Sequence, residues 1–215
     1  MNRITKLLNS DKSIKWLFYG DSITDGIQHT FGYRDYTELF SERVRFELER
    51  HMDIISNTAI SGNNTRNLIS SFDWRVGNLN PDIVFLMIGM NDCSDLNDIS
   101  IHEFEDNLLE LINKITNIDA IPILQTSCPI LPEQAPDRLP YFDSYMDIIR
   151  KIASDNSLPL IDHNQFWKEH IDKHFYWMSN AFHPNHYGHR SFAKYIYNCL
   201  DIDDNNSHSC NLFIP

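Results

Sequence analysis

Four short stretches of this sequence carry side chains that could do covalent chemistry. The first is Gly20-Asp21-Ser22-Ile23-Thr24-Asp25-Gly26. A serine at a strand-to-helix turn is exposed, and its own N–H points toward the same opening. An ordinary Asp/Ser/Gly turn or helix cap has the same composition. The second is Ala59-Ile60-Ser61-Gly62-Asn63-Asn64-Thr65, in which Gly62 lets the backbone approach a ligand closely. The third is Gly89-Met90-Asn91-Asp92. Asn91 at the end of a strand can aim side-chain N–H groups into a crevice, or cap the next turn. The fourth is Asn180-Ala181-Phe182-His183-Pro184-Asn185. A histidine ahead of a proline is held in extended backbone, and an imidazole suits a general base near neutrality. A hydroxyl nucleophile, a base and a set of N–H donors are the parts of an acyl-transfer site. Each stretch alone is weak, since the chain holds ten histidines and many such loops.

His183, His186 and His189 invite a metal reading by their spacing. On a helix, residues three apart share a face and residues six apart drift off it. The stretch also has no His-Glu-x-x-His and no clear carboxylate partner, so no metal site is expected.

The elements that must position these residues follow from the apolar pattern. Short apolar runs at 14–19, 53–59, 83–88, 120–125 and 158–161 read as strands. The run Ile83 to Ile88 is apolar on both faces, as a central parallel strand should be. Pro122 is expected near the start of its strand. Between the strands, Tyr36/Phe40/Val44/Leu48, Leu68/Ile69/Phe72, Phe104/Leu108/Leu111/Ile112/Ile115 and Tyr145/Ile148/Ile149/Ile152 repeat at helical spacing. Ser100 and Glu103 form a Ser-x-x-Glu capping box, and Asn185 can cap a last helix carrying Phe192, Ile196 and Cys199. Strand-helix alternation predicts an α/β fold: a parallel sheet with helices on both faces. Ligands gather at the carboxyl ends of such strands, and three of the four stretches follow a predicted strand.

Composition narrows the field further. The 215 residues argue for one domain over 1–215, with a polar tail from about residue 201. With 42% hydrophobic and 22% charged residues the chain can bury a sizeable core. A net charge of −12 disfavours nucleic acid and anionic membranes as partners. No apolar run is long enough to span a bilayer. Cys93, Cys128, Cys199 and Cys210 are scattered without a Cys-x-x-Cys, which fits free thiols and excludes a zinc knuckle. The N-terminus lacks the apolar core of a signal peptide and reads as a mature start, so a cytoplasmic location is expected. Leu212, Phe213 and Ile214 in the tail are expected to pack on the body or on a neighbouring chain, which leaves a homo-oligomer open.

Taken in order, the four stretches resemble the SGNH hydrolases, the GDSL-type esterase superfamily. The matches are Ser22 in Gly-Asp-Ser, Gly62 in Ser-Gly-Asn, Asn91 in Gly-x-Asn-Asp and His183 in His-Pro-Asn. The resemblance covers most of the chain. It implies a flavodoxin-like three-layer α/β/α sandwich with a five-stranded parallel sheet, and ester hydrolysis through an acyl-enzyme with no cofactor and no metal. Ser22 is then the nucleophile and His183 its base. The Ser22 N–H, the Gly62 N–H and the Asn91 side chain form the oxyanion hole, with Asp21 and Asp92 in support. One position departs from the family pattern. An aspartate is usual three residues before the histidine, and this chain has Asn180. An asparagine can accept from the imidazole Nδ1–H but brings no charge. Three readings stay open: a working Ser22-His183-Asn180 arrangement, a dyad oriented by another acceptor, or a weakly active relative.

Small single-domain members of that superfamily often act on short acyl esters, so a small-molecule or carbohydrate acyl ester, above all an acetyl ester, is the expected substrate. The proline-rich stretch from Pro129 to Pro140 lies at the correct end of the sheet to shape a pocket, or serves as a stiff connector. Trp74, Trp167, Tyr176 and Trp177 could stack on a sugar, or simply pack. Rival readings are a thioesterase or lysophospholipase on the same machinery, and a non-catalytic binding protein that keeps the fold. A flavin binder is disfavoured, because no Gly-x-Gly-x-x-Gly follows the first strand and Asp21 sits where a phosphate would go.

Overall fold

All five apolar runs become parallel strands of one sheet in the computed structural model, which describes residues 2–215. They are β1 (Lys15–Gly20), β2 (Ile54–Asn57), β3 (Ile83–Met87), β4 (Ile121–Gln125) and β5 (Leu160–Ile161), in the order β2-β1-β3-β4-β5. This is the flavodoxin-like order, whose crevice opens where β1 and β3 lie side by side and the chain turns to opposite sides. Leu17 pairs with Ser56 on one side and Val84 on the other. Every residue of β3 is buried, whereas β2, at the edge, is partly exposed.

The helices are α1 (Asn2–Leu8), α2 (Ser22–Asp25), α3 (Tyr36–Ser41), α4 (Thr65–Arg75), α5 (Ile101–Asn117), α6 (Phe142–Asp155), α7 (His163–Lys168), α8 (His174–Trp177) and α9 (His186–Cys199). α4, α5 and α6 pack in series, and α3, α7 and α8 pack on α9, giving the expected three layers. The core between the α3/α9 layer and the sheet is aromatic. Phe18 stacks on Phe85 at 4.5 Å, with Tyr36 and Phe40 edge-on to Phe18. The four-residue repeat from Tyr36 to Leu48 is helical throughout, but α3 widens into a π-helical turn over Glu42–Glu47, closed by Leu48 N–H donating to Arg43 C=O.

Three local differences from the sequence pattern have physical reasons. β2 is shorter than 53–59: Asp53 precedes it as a buried acceptor, taking N–H bonds from Ile14 and the Trp16 indole, and past its end Ala59 N–H turns to the Asn57 side chain. Ser100 accepts from Glu103 N–H at 3.2 Å, but the Glu103 carboxylate is drawn away to Arg66, so the capping box is half formed. Pro122 is the second residue of an interior strand. Ile121 N–H donates toward β3 and Leu124 N–H toward the segment entering β5. The missing N–H of Pro122 therefore faces the β5 side before β5 begins, where no ladder bond is lost.

The tail is held. Glu47 accepts from Ser207 and Ser209, which holds its carboxyl down at about 2 against the effect of burial. Trp177 Nε1 donates to Pro215 C=O. Leu212 and Ile214 pack against the core as expected, but Phe213 is 68% exposed. No helix among the described residues is long and apolar enough to cross a membrane.

Candidate active site

The loops that leave β1, β2 and β3 at their carboxyl ends bring Ser22, Gly62 and Asn91 to one end of the sheet. Gly20 ends β1 and cannot carry a side chain, since a Cβ there would lie 2.4 Å from the Met87 carbonyl of β3. Asp21 follows as the N-cap of α2, its carboxylate accepting from Ile23 N–H at 2.9 Å. Ser22 is the first residue of that helix. α2 lasts one turn, because Gly26 takes the left-handed conformation and donates its N–H to Ser22 C=O.

Ser22 Oγ lies 2.8 Å from His183 Nε2. On the far side of the ring, His183 Nδ1 lies 3.0 Å from Asn180 Oδ1. That same Oδ1 accepts from the backbone N–H groups of His183 at 3.0 Å and Phe182 at 3.2 Å. Two backbone donors on one atom establish that it is the amide oxygen and not the nitrogen. The His183 Nδ1 must therefore carry the proton, and Nε2 presents its lone pair to the Ser22 hydroxyl. Asn180 thus fixes the tautomer needed for a general base while contributing no charge. Burial, followed by His29 and Arg138 nearby, pushes the His183 pKa down to about 3. The resting imidazole is neutral.

The backbone around His183 is a tight turn. Met178 and Pro184 form an antiparallel bridge, and Ser179 N–H donates to His183 C=O at 2.8 Å. Asn185 caps α9 through Tyr187 and Gly188 N–H, and its amide donates back to Tyr176 and Met178 C=O.

Gly62 has φ of +81°, a region that favours glycine, and open space where a Cβ would stand. Backbone conformation rather than crowding calls for glycine there. Asn91 Nδ2 donates one hydrogen to Asn63 C=O at 2.8 Å, which leaves a second N–H for a ligand. Asn63 is fastened from behind by Arg75, whose guanidinium reaches Asn63 Oδ1, the Thr58 carbonyl and Ser71 and lies over the Tyr19 ring. Asp92 accepts from Thr65 N–H at 2.9 Å and Thr65 Oγ1 at 2.6 Å, clamping the start of α4 to the loop after β3. Burial pushes the Asp21 carboxyl up to about 7 and the Asp92 carboxyl up to about 6. Neither carboxylate touches His183; both organise backbone.

The stretch from Pro129 to Pro140 borders the site. Leu131 N–H donates to Ala181 C=O, and Arg138 reaches Met90 C=O while its guanidinium covers the Phe182 ring at 4.3 Å. Of the four aromatics considered for sugar stacking, Trp167 and Trp177 are buried in the core and unavailable, whereas Trp74 and Tyr176 are exposed. His186 stacks on Tyr33, and buried His189 accepts the Tyr36 N–H on Nδ1, so the three spaced histidines do not converge. Cys93 and Cys128 are buried, with thiols pushed up to about 12, and offer no rival nucleophile. Arg75, Arg138 and His29 are the site neighbours that no motif marked. A cation inside a proline-rich loop was the single available signal, for Arg138.

The GDSL-like Lipase/Acylhydrolase family model matches residues 18–191. The uncharacterized lipoprotein YqeF of Bacillus subtilis (strain 168) is 27% identical over 178 residues, covering 72% of this chain and 71% of that protein. Among solved structures, Axe2, an acetylxylan esterase from Geobacillus stearothermophilus, aligns with a TM-score of 0.73 at 25% identity, over 87% of this chain and 94% of that one. LAE5, an alpha/beta hydrolase enzyme from the metagenome of Lake Arreo, Spain, aligns with a TM-score of 0.75 at 25% identity, over 91% and 99%. The matched span contains all four stretches that could do chemistry, and the chain belongs to the GDSL-like lipase/acylhydrolase family as a carboxylic ester hydrolase.

Proposed function

We propose that the enzyme removes short acyl groups, acetyl above all, from small or carbohydrate esters through an acyl-enzyme on Ser22. The observation that carries this reading is the 2.8 Å contact between Ser22 Oγ and the lone-pair nitrogen of His183. His183 Nε2 takes the hydroxyl proton as Oγ attacks the ester carbonyl. The oxyanion is held by the Ser22 N–H, the Gly62 N–H and the free N–H of Asn91, each such donor being worth about 2.7–4 kcal/mol of barrier. The imidazolium then protonates the leaving alcohol as the tetrahedral centre collapses to the acyl-serine. Water enters, gives its proton to Nε2 and attacks the acyl carbon. Collapse of the second tetrahedral centre returns that proton to Ser22 Oγ and releases the acid. Asn180 holds the tautomer throughout, while Asp21 and Asp92 hold the backbone that carries Ser22 and Asn91.

The acetyl preference draws support from the likeness to Axe2, an acetylxylan esterase, and from the Arg138 side chain lying over Phe182 beside His183. Initial rates on 4-nitrophenyl acetate, butyrate and octanoate, with acetate release from acetylated xylo-oligosaccharides, test it. The expected order is acetate fastest, with the rate lost in Ser22→Ala. A preference for octanoate or for acyl thioesters would instead favour a lysophospholipase or thioesterase. Background rates on every ester would overturn the catalytic reading. A cytoplasmic location fits the free cysteines, and cell fractionation tests it; recovery with the membranes would overturn it.

A further inference from the structure

A second imidazole lies against the first. His29, in the loop that follows α2, stacks face to face on His183, with ring centroids 3.6 Å apart and planes 11° from parallel. Its loop is set by Gly26, whose C=O accepts from His29 and Thr30 N–H. Gly26 sits so close to Asp35 that a Cβ would lie 2.6 Å from the Asp35 Cβ. His29 Nδ1 also stands 3.4 Å from Ser179 Oγ, and that hydroxyl donates to the His183 carbonyl at 3.1 Å. The same turn that carries His183 thus also holds the ring stacked on it.

We propose that His29 is a positioning residue, whose stacked ring keeps the His183 imidazole in the plane that meets Ser22 Oγ. The inference rests on the esterase reading of the same site. The argument is geometric. His183 is hydrogen-bonded at Nε2 to Ser22 and at Nδ1 to Asn180, nearly opposite one another on the ring. Two such bonds resist sliding in the ring plane but leave tilting about the line between them. A ring stacked on one face opposes that tilt. The need is greater here because a neutral amide holds Nδ1. A bond to a carboxylate would be roughly twice as strong as this neutral one.

The stack also sets a charge condition. When His183 becomes an imidazolium, a neutral His29 face can accept the cation. A protonated His29 would place two like charges 3.6 Å apart and oppose it. The groups facing His29 are Asp25 from α2, Ser179 and His183 from the turn, and His189 from α9. Burial lowers the His29 pKa more than Asp25 raises it, so the ring is neutral at neutral pH. Acid should inhibit through His29 as well as through His183.

The test compares His29→Ala with His29→Phe, which keeps a flat ring and cannot protonate. His29→Ala should lower kcat about 10-fold with KM changed less than about 2-fold, and His29→Phe should recover most of that loss. The part of the acid limb that belongs to His29 should be missing from the His29→Phe pH profile. In parallel, NMR titration of the labelled histidine rings should show His183 titrating at higher pH in His29→Phe than in the wild type. Thermal melting confirms that each variant is folded. Wild-type kcat in a folded His29→Ala, or a folded His29→Phe as slow as His29→Ala, would overturn the proposal. If the wild type hydrolyses no ester, the esterase reading fails by itself; the NMR titration then decides, and an unmoved His183 overturns the proposal.

Discussion

The two halves of the site are held by different physics. The half that carries Ser22, Gly62 and Asn91 is braced by ionisable groups: Asp21 under α2, Asp92 on Thr65, and Arg75 behind Asn63. The His183 ring itself is braced by uncharged partners, the Asn180 amide and the His29 ring, with the Ser179 hydroxyl on its backbone and the Arg138 guanidinium on the Phe182 ring beside it. The charged brace holds backbone, which in the proposed mechanism must stay put while charge develops on the substrate oxygen. The neutral brace holds a ring that, in the same mechanism, must itself change charge. A fixed anion beside that ring would make it a stronger base and a weaker acid. Burial, followed by His29 and Arg138, keeps the resting ring neutral, and the Asn180 amide brings no charge to offset them.

Breaking the contact between the halves should have the largest effect. Ser22→Ala should reduce kcat/KM by about 10⁴-fold or more, read as initial rates on 4-nitrophenyl acetate. Breaking the charged half at its tip is next. Asn91→Ala should reduce kcat by about 10²–10³-fold with KM little changed, the signature of a donor used only in the transition state. The neutral half is sharpened by giving it a charge. Asn180→Asp should raise kcat by about 10-fold, bounded by the ~10⁴-fold cost of the reverse change in a serine-protease triad. The new carboxylate should also raise the His183 pKa, moving the acid limb of kcat/KM from well below 6.5 to higher pH. A fall in kcat with intact folding would show that the neutral brace is not what limits the rate.

The smallest effect should be on stability. The folded-state carboxyl of Asp21 is raised from 3.8 to about 7, so the folded chain holds that proton longer than the unfolded one. Stability from this group is therefore greatest at low pH and falls as pH rises between about 4 and 7. Asp21→Asn keeps the cap acceptor and cannot ionise. It should melt with the wild type near pH 4 and above it near pH 8, as followed by circular dichroism. Equal melting temperatures at both pH values would contradict the raised carboxyl.

Much of the charged half was legible in the sequence. Continuous apolar runs mark strands, and α/β topology puts chemistry just after them, so Ser22, Gly62 and Asn91 could be read from position and type. His183 lies after no strand and became readable only through its company. The braces were harder. Asp21 and Asp92 carry motif positions, but Arg75 reads as one more charged residue on a helix until the fold turns it under the Asn63 loop. His29 and Ser179 are 150 residues apart and meet through tertiary packing alone. Trp167 and Trp177 offered the same aromatic signal as Trp74 and Tyr176, and only burial separates them.

Trapping the nucleophile tests the central claim most directly. The enzyme is treated with a fluorophosphonate, which phosphonylates an activated serine, and is then weighed intact and mapped by peptide mass spectrometry. A single adduct on the peptide containing Ser22 is expected, absent in Ser22→Ala and formed far more slowly in His183→Ala. No adduct on the folded wild type, or an adduct on another residue, would contradict a serine esterase built on Ser22, His183 and Asn180.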